Sequence, residues 1–428
     1  MSNNSQRRGV STGAVWSAVG VFAVAALVAL VASSLGERAF AAASQLFDTL
    51  TPSSVAFSRS ATSTPESVEK PVRERSAHVT TPAEVKAIYM SQCAAGTPSF
   101  RESLTKLIDE TELNAIVIDI RDYTGMISFP TDNPILKDMV SDDCGANDMK
   151  GFIESLHAKD IYVIGRITVF QNPHYTKMHP DQAVQHKNGG VWKDRKGLAF
   201  VDVGAQPYWD TVVELANESY AIGFDEINFD YIRYPSDGDM ASAVYIKRDG
   251  KTKQEMLEDF FKYLTENVDP GMVTSADLFG MVTTNYDDLN IGQVLERALP
   301  YFDYIGPMVY PSHYPKGFNG WNDVNAVPYE LMKYVMAAAV KRTTAPTTSI
   351  PSLAYTRIGT STPALYQKPE YPVSKMRPWI QDFDYPVEYT PEMVRAQIRA
   401  NEELGINSYM VWDPGNKYSS LKQVVAPQ

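Results

Sequence analysis

Acidic side chains near the ends of predicted strands are the residues of this sequence best suited to chemistry. Residues 223–235 read GFDEINFDYIRYP, in which Glu226, Asn228 and Asp230 alternate with apolar residues. A period of two places these three polar side chains on one face of a strand. Asp230 stands where that strand runs into a loop, and Asp277 lies near the end of a second apolar run, residues 273–279. One protonated carboxyl group beside one ionised carboxylate is what hydrolysis of a glycosidic bond requires.

Position along the strand separates the roles of these acids. We assign the ionised role to Asp230, with Arg166 or Arg233 as the cation that keeps it charged. Asp277 is the predicted proton donor, because crowding by negative charge and burial raise the pKa of one member of an acid pair. Glu226 is a third catalytic candidate, but it lies four residues before Asp230 and so about 13 Å deeper, at ~3.3 Å per residue. A buried acid paired with Arg166 is an equally good interpretation of Glu226.

Further polar and aromatic residues lie toward the carboxyl ends of predicted strands, where barrel enzymes gather their binding groups. The predicted substrate-binding residues are Asp119, Arg166, Asn228, Tyr310, His313, Trp379, Gln381, Asp382 and Trp412. Asp119 has an alternative role in shaping the loop after its strand, as Asp often does in turns. Tyr310 and Trp412 are alternatively core aromatic residues. Met308 and Val309 are assigned to the core.

Metal, cofactor and nucleic-acid chemistry are poorly matched by the sequence. Of the six histidines, His174, His179 and His186 share one predicted loop at spacings of five and seven, and no HExxH motif or paired CxxC occurs. Residues 249–252, DGKT, lack the earlier glycine of a phosphate-binding loop. A formal net charge of -12 disfavours nucleic acid as a partner, since phosphate binding needs clustered Lys and Arg. We therefore predict no metal, no cofactor and no nucleic acid.

Eight predicted strands alternate with seven predicted helices. The strands are residues 85–90, 115–120, 161–169, 226–230, 273–279, 303–310, 377–383 and 407–412, and the helices are residues 100–110, 149–158, 208–220, 253–268, 291–299, 329–341 and 391–404. This alternation predicts an α/β fold, the TIM (β/α)8 barrel, in which residues 342–375 form an inserted loop. An open doubly wound sheet is the alternative, but no glycine-rich turn follows the first strand.

The amino-terminal residues predict a membrane segment. Arg7 and Arg8 precede an apolar run that is about long enough to cross a bilayer at ~1.5 Å per residue. We predict a cytoplasmic tail over residues 1–13, a single transmembrane helix over 14–35, a disordered linker rich in Ser, Thr and Pro over 43–81, and the barrel over 82–428. A signal peptide cleaved near residues 39–41 is the alternative. Cys93 and Cys144 form either one disulfide or two free thiols.

Four motifs in the same order resemble a glycoside hydrolase family first catalogued as a domain of unknown function. They are residues 189–202 (GGVWKDRKGLAFVD), 223–235, 304–314 (YIGPMVYPSHY) and 377–383 (RPWIQDF), and the likeness covers residues 85–418. The resemblance implies a TIM barrel of the glycosidase type. It places at the barrel mouth Asp230, Tyr310, His313, Trp379, Gln381 and Asp382. Asp413 departs from the family pattern, which has Asn at that position.

These observations predict an extracytoplasmic, membrane-tethered glycoside hydrolase. Its expected substrate is a polysaccharide of the cell surface or cell wall, cleaved by carboxylate acid/base chemistry. The alternative is a barrel that binds glycan at the cell surface without cleaving it.

Overall fold

Eight parallel strands close into a barrel in the computed structural model, which describes residues 76–427. The strands are β1 (Lys86–Met90), β2 (Ala115–Arg121), β3 (Tyr162–Thr168), β4 (Glu226–Asp230), β5 (Val273–Phe279), β6 (Tyr304–Met308), β7 (Trp379–Gln381) and β8 (Tyr409–Trp412). Each strand pairs with the next along the chain, and β8 pairs with β1. This closed parallel arrangement confirms the predicted TIM barrel.

Helices follow the first seven strands. They are α1 (Pro98–Asp109), α2 (Met149–His157), α3 (Gln206–Ala221), α4 (Lys253–Asn267), α5 (Leu295–Ala298), α6 (Pro328–Thr344) and α7 (Pro391–Glu402). Two further short helices, Gln92–Ala95 and Pro173–Met178, lie in the loops after β1 and β3. Every residue of β2, β3 and β4 is buried, as expected for strands covered by helices on one side and by the barrel interior on the other.

The segment predicted as a helix over residues 291–299 is helical only at Leu295–Ala298. Val294 is extended, with φ -136° and ψ 127°. The preceding residue, Gln293, bonds the ends of two strands. Its Oε1 accepts a hydrogen bond from the amide of Phe279 at 2.9 Å, and its Nε2 donates to the carbonyl of Ile232 at 3.3 Å. The side chain therefore holds this stretch against the barrel mouth in a non-helical conformation.

The insertion between α6 and β7 is also more ordered than predicted. Instead of a loop, it contains a three-stranded antiparallel sheet of Thr347–Thr348, Thr356–Ile358 and Leu365–Gln367. A second short antiparallel pair, Gln185–His186 with Ala243–Val244, joins the loops after β3 and β4. Such two- and three-residue strands carry too little periodicity to be recognised from sequence.

Cys93 and Cys144 form a disulfide that links the loop after β1 to the loop after β2. Residues 1–13, the predicted membrane segment 14–35 and most of the predicted linker lie outside the described residues. Within residues 76–427, no helix has the length and apolar character needed to span a bilayer.

Candidate active site

A cavity of about 290 Å³ opens at the carboxyl ends of the barrel strands. It is lined by residues of β3 to β8 and the loops that follow them: Arg166, Asp230, Tyr231, Arg233, Asp277, Phe279, Gly280, Met281, Met308, Tyr310, His313, Tyr314, Trp379 and Trp412. Seven predicted site residues therefore share one cavity. This is the end of the barrel at which TIM-barrel enzymes carry their active sites.

Asp230 accepts hydrogen bonds from three donors. Arg166 on the neighbouring strand donates to Asp230 Oδ2 from Nη2 at 2.5 Å and from Nε at 3.2 Å. The amide of Tyr231 donates to Oδ1 at 2.6 Å. Hydrogen bonds and a positive charge both favour the ionised form of a carboxyl group. Of the two cations considered for this role, it is Arg166 that forms the ion pair.

Asp277 occupies the opposite electrostatic environment one strand away. Burial, with the nearby negative charge of Asp230, raises the pKa of Asp277 well above its usual range. Two donors oppose this effect, and both bind the same oxygen. Asn228 Nδ2 lies 3.0 Å and Trp379 Nε1 2.8 Å from Asp277 Oδ1. Neither of these two donors binds Oδ2, and the raised pKa favours the protonated form of Asp277.

Close packing fixes the position of the Asp277 carboxyl group. Gly306 on β6 is its partner in the strand register. A Cβ atom at Gly306 would lie 2.5 Å from Asp277 Oδ1. Only glycine leaves room for the carboxyl group at this point of the barrel wall.

A second layer of charged groups lies below the cavity. Asp119 accepts hydrogen bonds from Arg166 Nη1 at 2.6 Å and from the hydroxyl of Tyr89 at 2.5 Å. Burial outweighs these bonds and raises the pKa of Asp119 to about 6. Asp119 does not line the cavity. Its hydrogen bond to Arg166 supports the Arg166–Asp230 ion pair from beneath. Asp119 therefore positions Arg166, and does not have the alternative role of shaping the loop after β2.

Glu226 lies deeper still and pairs with a residue other than the one predicted. Arg377 Nη1 contacts both of its carboxylate oxygens, at 2.8 Å and 2.9 Å, and the hydroxyl of Tyr162 donates at 3.1 Å. Arg377 precedes β7 across the barrel interior, whereas Arg166 is occupied by Asp119 and Asp230. Glu226 is fully buried and has no contact with the cavity.

Aromatic rings form two sides of the cavity. The Trp412 ring stacks on Tyr89 with centroids 4.0 Å apart and meets Trp379 edge to face at 5.6 Å. Tyr310 and His313 meet edge to face at 5.2 Å. Burial lowers the pKa of His313, which favours its neutral imidazole. Rings of this kind offer apolar faces against which the C–H face of a sugar can pack.

The remaining predicted site residues lie behind the cavity wall. Asn228 supports Asp277, as described above. Gln381 accepts hydrogen bonds from the amide and hydroxyl of Ser312, and so holds the loop after β6. Asp382 accepts the amide of Leu421 at 3.2 Å, and burial raises its pKa to about 7. Asp413, the departure from the family pattern, accepts three backbone amides of the loop that follows it.

Several cavity residues were not identified from the sequence. Phe279, Gly280 and Met281 at the end of β5, together with Tyr314, were not predicted as site residues, and Met308 was assigned to the core. The alternation of side chains along a strand would have indicated that Phe279 faces the cavity, because it lies two residues beyond Asp277 on the same strand. Among residues 76–427, no group of three or more His, Cys, Asp or Glu side chains forms a metal site.

A closed barrel with two acids on adjacent strands at its mouth carries the type of groups that TIM-barrel glycosidases use. Comparison with known families agrees. The model of the family described as "Putative glycosyl hydrolase domain" matches residues 87–418, and the chain belongs to this family. No curated protein matches the chain.

Two solved structures are similar to this chain. The PgaB (BpsB) glycoside hydrolase domain from Bordetella bronchiseptica is 14% identical, with a TM-score of 0.54 over 80% of this chain and 99% of that one. A hypothetical protein from Ruminiclostridium thermocellum is 29% identical over 48% of this chain and 98% of its own, with a TM-score of 0.41. The first of these likenesses supports the barrel architecture.

Proposed function

We propose that this protein hydrolyses glycosidic bonds with Asp277 as the proton donor and Asp230 as the ionised carboxylate. The observation that carries the proposal is that these two acids, on adjacent strands, line one cavity, where Arg166 pairs with Asp230 and burial raises the pKa of Asp277 well above its usual range. Glycosidases need this combination, because the leaving oxygen must be protonated while the sugar ring develops positive charge.

Each cavity residue then has a defined task. Asp277 Oδ2 gives its proton to the glycosidic oxygen. Asp230 either attacks the anomeric carbon or activates the water that does so, and its negative charge stabilises the oxocarbenium-like transition state. Arg166 keeps Asp230 charged and oriented from below. Trp379 and Trp412 provide the surface on which the sugar ring packs.

We infer that the substrate is a polysaccharide of the cell surface or cell wall, reached from outside the membrane. The apolar run 14–35 behind Arg7 and Arg8 supports an anchored, exported protein. The Cys93–Cys144 disulfide supports an oxidising compartment. Protease treatment of intact cells tests the location, since only an exported barrel is digested. Amino-terminal sequencing separates an anchored chain from a secreted one cut near residues 39–41.

The hydrolase proposal is tested with Asp230→Asn and Asp277→Asn. Each variant should lower sugar release from polysaccharides by about 10²–10⁴-fold, the usual contribution of a positioned acid or base. Glycan binding should persist in both. Asp132→Asn is the matched control, because Asp132 is an exposed carboxylate on the loop after β2.

The experiment also distinguishes hydrolysis from binding alone. If the unmutated protein binds glycans but releases no sugar from any polysaccharide or cell-wall preparation, the barrel is a glycan-binding module and the hydrolase proposal is wrong. If both Asn variants retain full sugar release, the acids are misassigned.

A further inference from the structure

A second groove adjoins the active-site cavity and shares a wall with it. It has a volume of about 430 Å³ and lies against the loops after β2, β3 and β4. Tyr231 and Arg233 line both spaces. Ligand pockets usually measure about 300–1,000 Å³, so the active-site cavity alone is at the small end of that range. The two spaces are neighbours, because Tyr231 and Arg233 line both.

The shared wall is held rigidly. Tyr231 has a φ of 51°, a left-handed conformation that is uncommon for a residue with a side chain. Its amide donates to Asp230, and its carbonyl accepts the amide of Phe170 at 3.1 Å. The Arg233 guanidinium lies between the rings of Tyr231 and Phe279, at 4.8 Å and 4.7 Å from their centroids. A fixed backbone therefore holds both side chains between the cavity and the groove.

Arg233 has hydrogen-bonding capacity that the protein does not use. Its Nη1 donates to the carbonyl of Tyr234 at 3.0 Å and to the hydroxyl of Ser236 at 3.2 Å. Within residues 76–427, its Nε and Nη2 have no hydrogen-bond acceptor, and it forms no ion pair within 4 Å. Arg233 is only 7% exposed. A buried guanidinium with free donors on the wall of a cleft is suited to bind ligand hydroxyl groups.

Gln171 adds an unused acceptor. This side chain lines the groove and is 5% exposed, and its Nε2 donates to Asp194 Oδ2 at 3.3 Å. Its Oε1 is buried without a hydrogen-bond partner among the described residues. A buried amide oxygen left unpaired is unfavourable, so a ligand hydroxyl that reached it would gain a hydrogen bond that the folded protein lacks.

The rim and the charges of the groove indicate a neutral sugar. Tyr123 stands at the edge with 56% of its surface exposed, and can stack on a sugar face. The acids Asp194 and Asp237 are matched by the cations Lys196 and Arg233. A balanced set of charges does not favour an acidic or a basic substituent.

We propose that this groove is a second sugar-binding subsite, which makes the substrate a neutral oligosaccharide chain longer than the active-site cavity can hold. The subsite consists of Tyr123, Gln171, Asp194, Lys196, Tyr231 and Arg233. The chain crosses the shared wall, with one sugar beside Asp277 and the next beside Gln171. This proposal rests on the proposed hydrolase function, because the groove is assigned by its continuity with the catalytic cavity.

Binding is measured on the full-length Asp277→Asn protein, so that no probe is cleaved. The probes are gluco-, galacto- and N-acetylglucosamine oligosaccharides of two to six units, titrated by calorimetry. Affinity should rise with chain length. Adding Tyr123→Ala or Gln171→Leu should weaken binding of the longest chains about tenfold, which corresponds to about 1.4 kcal/mol, and leave the shortest chain that binds unaffected.

Tyr286→Ala is the matched control, because Tyr286 is also 56% exposed but lines neither space. Affinity that is independent of chain length, or an equal loss for short and long chains, would overturn the subsite. The two proposals fail separately. Cleavage by the unmutated protein without any length dependence rejects only the subsite, whereas length-dependent binding without cleavage rejects only the hydrolase.

Discussion

The protonation of Asp277 is set by a balance among four neighbours. Burial and the charge of Asp230 raise its pKa, whereas the hydrogen bonds from Asn228 and Trp379 and the charge of Arg166 lower it. Because both donors bind Oδ1, they orient the carboxyl group without competing for the proton on Oδ2. The same two hydrogen bonds therefore both orient the proton donor and lower its pKa.

Replacing Trp379 by Phe should raise the pKa of Asp277 further. The change removes one hydrogen bond to the carboxylate, a kind of bond worth about 1.5–3 kcal/mol, while keeping an aromatic ring. Hydrolysis needs protonated Asp277, so activity is lost as pH rises through its pKa. The alkaline limb of kcat/KM should therefore move about one pH unit higher, since one unit corresponds to about 1.36 kcal/mol.

The control for this prediction is Trp412→Phe. Trp412 lines the same cavity, and no hydrogen bond joins it to Asp277 among the described residues. Its replacement should weaken substrate binding without moving the alkaline limb. If the alkaline limb of kcat/KM moved equally in both variants, ring packing and not the hydrogen bond from the indole N–H would determine its pH.

At the scale of the elements, the barrel was predictable because strand-like runs alternate with helix-like segments along the chain. The predicted bounds of β4 and β5 match those in the structure, and in β4 polar and apolar residues alternate up to Asp230. The short α5 was mispredicted because Gln293 bonds across to two strand ends, a tertiary contact with no local signal. The partner of Glu226 was missed for the same reason, because Arg377 is 151 residues away.

A clasp of two histidines and one acid holds the described amino-terminal segment against the barrel. Asp225, immediately before β4, accepts the amides of Val79 at 2.7 Å and Val163 at 2.8 Å, and His157 Nε2 at 3.0 Å. His78 Nδ1 lies 3.6 Å from the same carboxylate. Burial alone would raise the pKa of Asp225, but the hydrogen bonds from His157 and the amide of Val163, with His78 close by, outweigh it and lower that pKa below 3.8.

Asp225→Asn should therefore destabilise the protein in a pH-dependent way. A lowered pKa contributes stability above the unfolded value of 3.8 and loses it as pH falls through the folded value. We expect a loss of about 2–3 kcal/mol at pH 6, the size of a lost charged hydrogen bond, and a smaller loss below pH 3.8. Urea unfolding of both proteins from pH 6 to below pH 3.8 measures this loss of unfolding free energy.

The matched control is Asp259→Asn on α4. Asp259 forms a partly exposed pair with Lys251 at 2.5 Å. Exposed pairs of this kind contribute about 0–1 kcal/mol, so the variant should change stability little. If the cost of Asp225→Asn stays constant down to pH 3, the clasp does not depend on the charge of Asp225.

For the whole molecule, the barrel interior is organised in charged layers. Glu226 and Arg377 neutralise each other in the lower layer, and Arg166 lies between Asp119 and Asp230 in the upper layer. Only the upper layer reaches the cavity. The lower ion pair therefore contributes to the packed interior, and the acid chemistry is confined to the mouth, where Asp277 has no cation of its own within 4 Å among the described residues.

The Cys93–Cys144 disulfide ties two loops on the rim of this barrel across 51 residues of sequence. In the chain-entropy model, closing a loop of this length stabilises the folded state by about 4 kcal/mol. The double variant Cys93→Ser with Cys144→Ser should unfold at a lower urea concentration by a corresponding amount. Reductant should bring the unmutated protein to the same midpoint and leave the variant unchanged.

Because neither cysteine lines the cavity, folded variant protein should retain its glycan binding. Two outcomes would contradict the disulfide: two titratable thiols in the unreduced, denatured protein, or a urea midpoint that reductant does not change. Either outcome would also remove the support that the disulfide gives to an oxidising compartment.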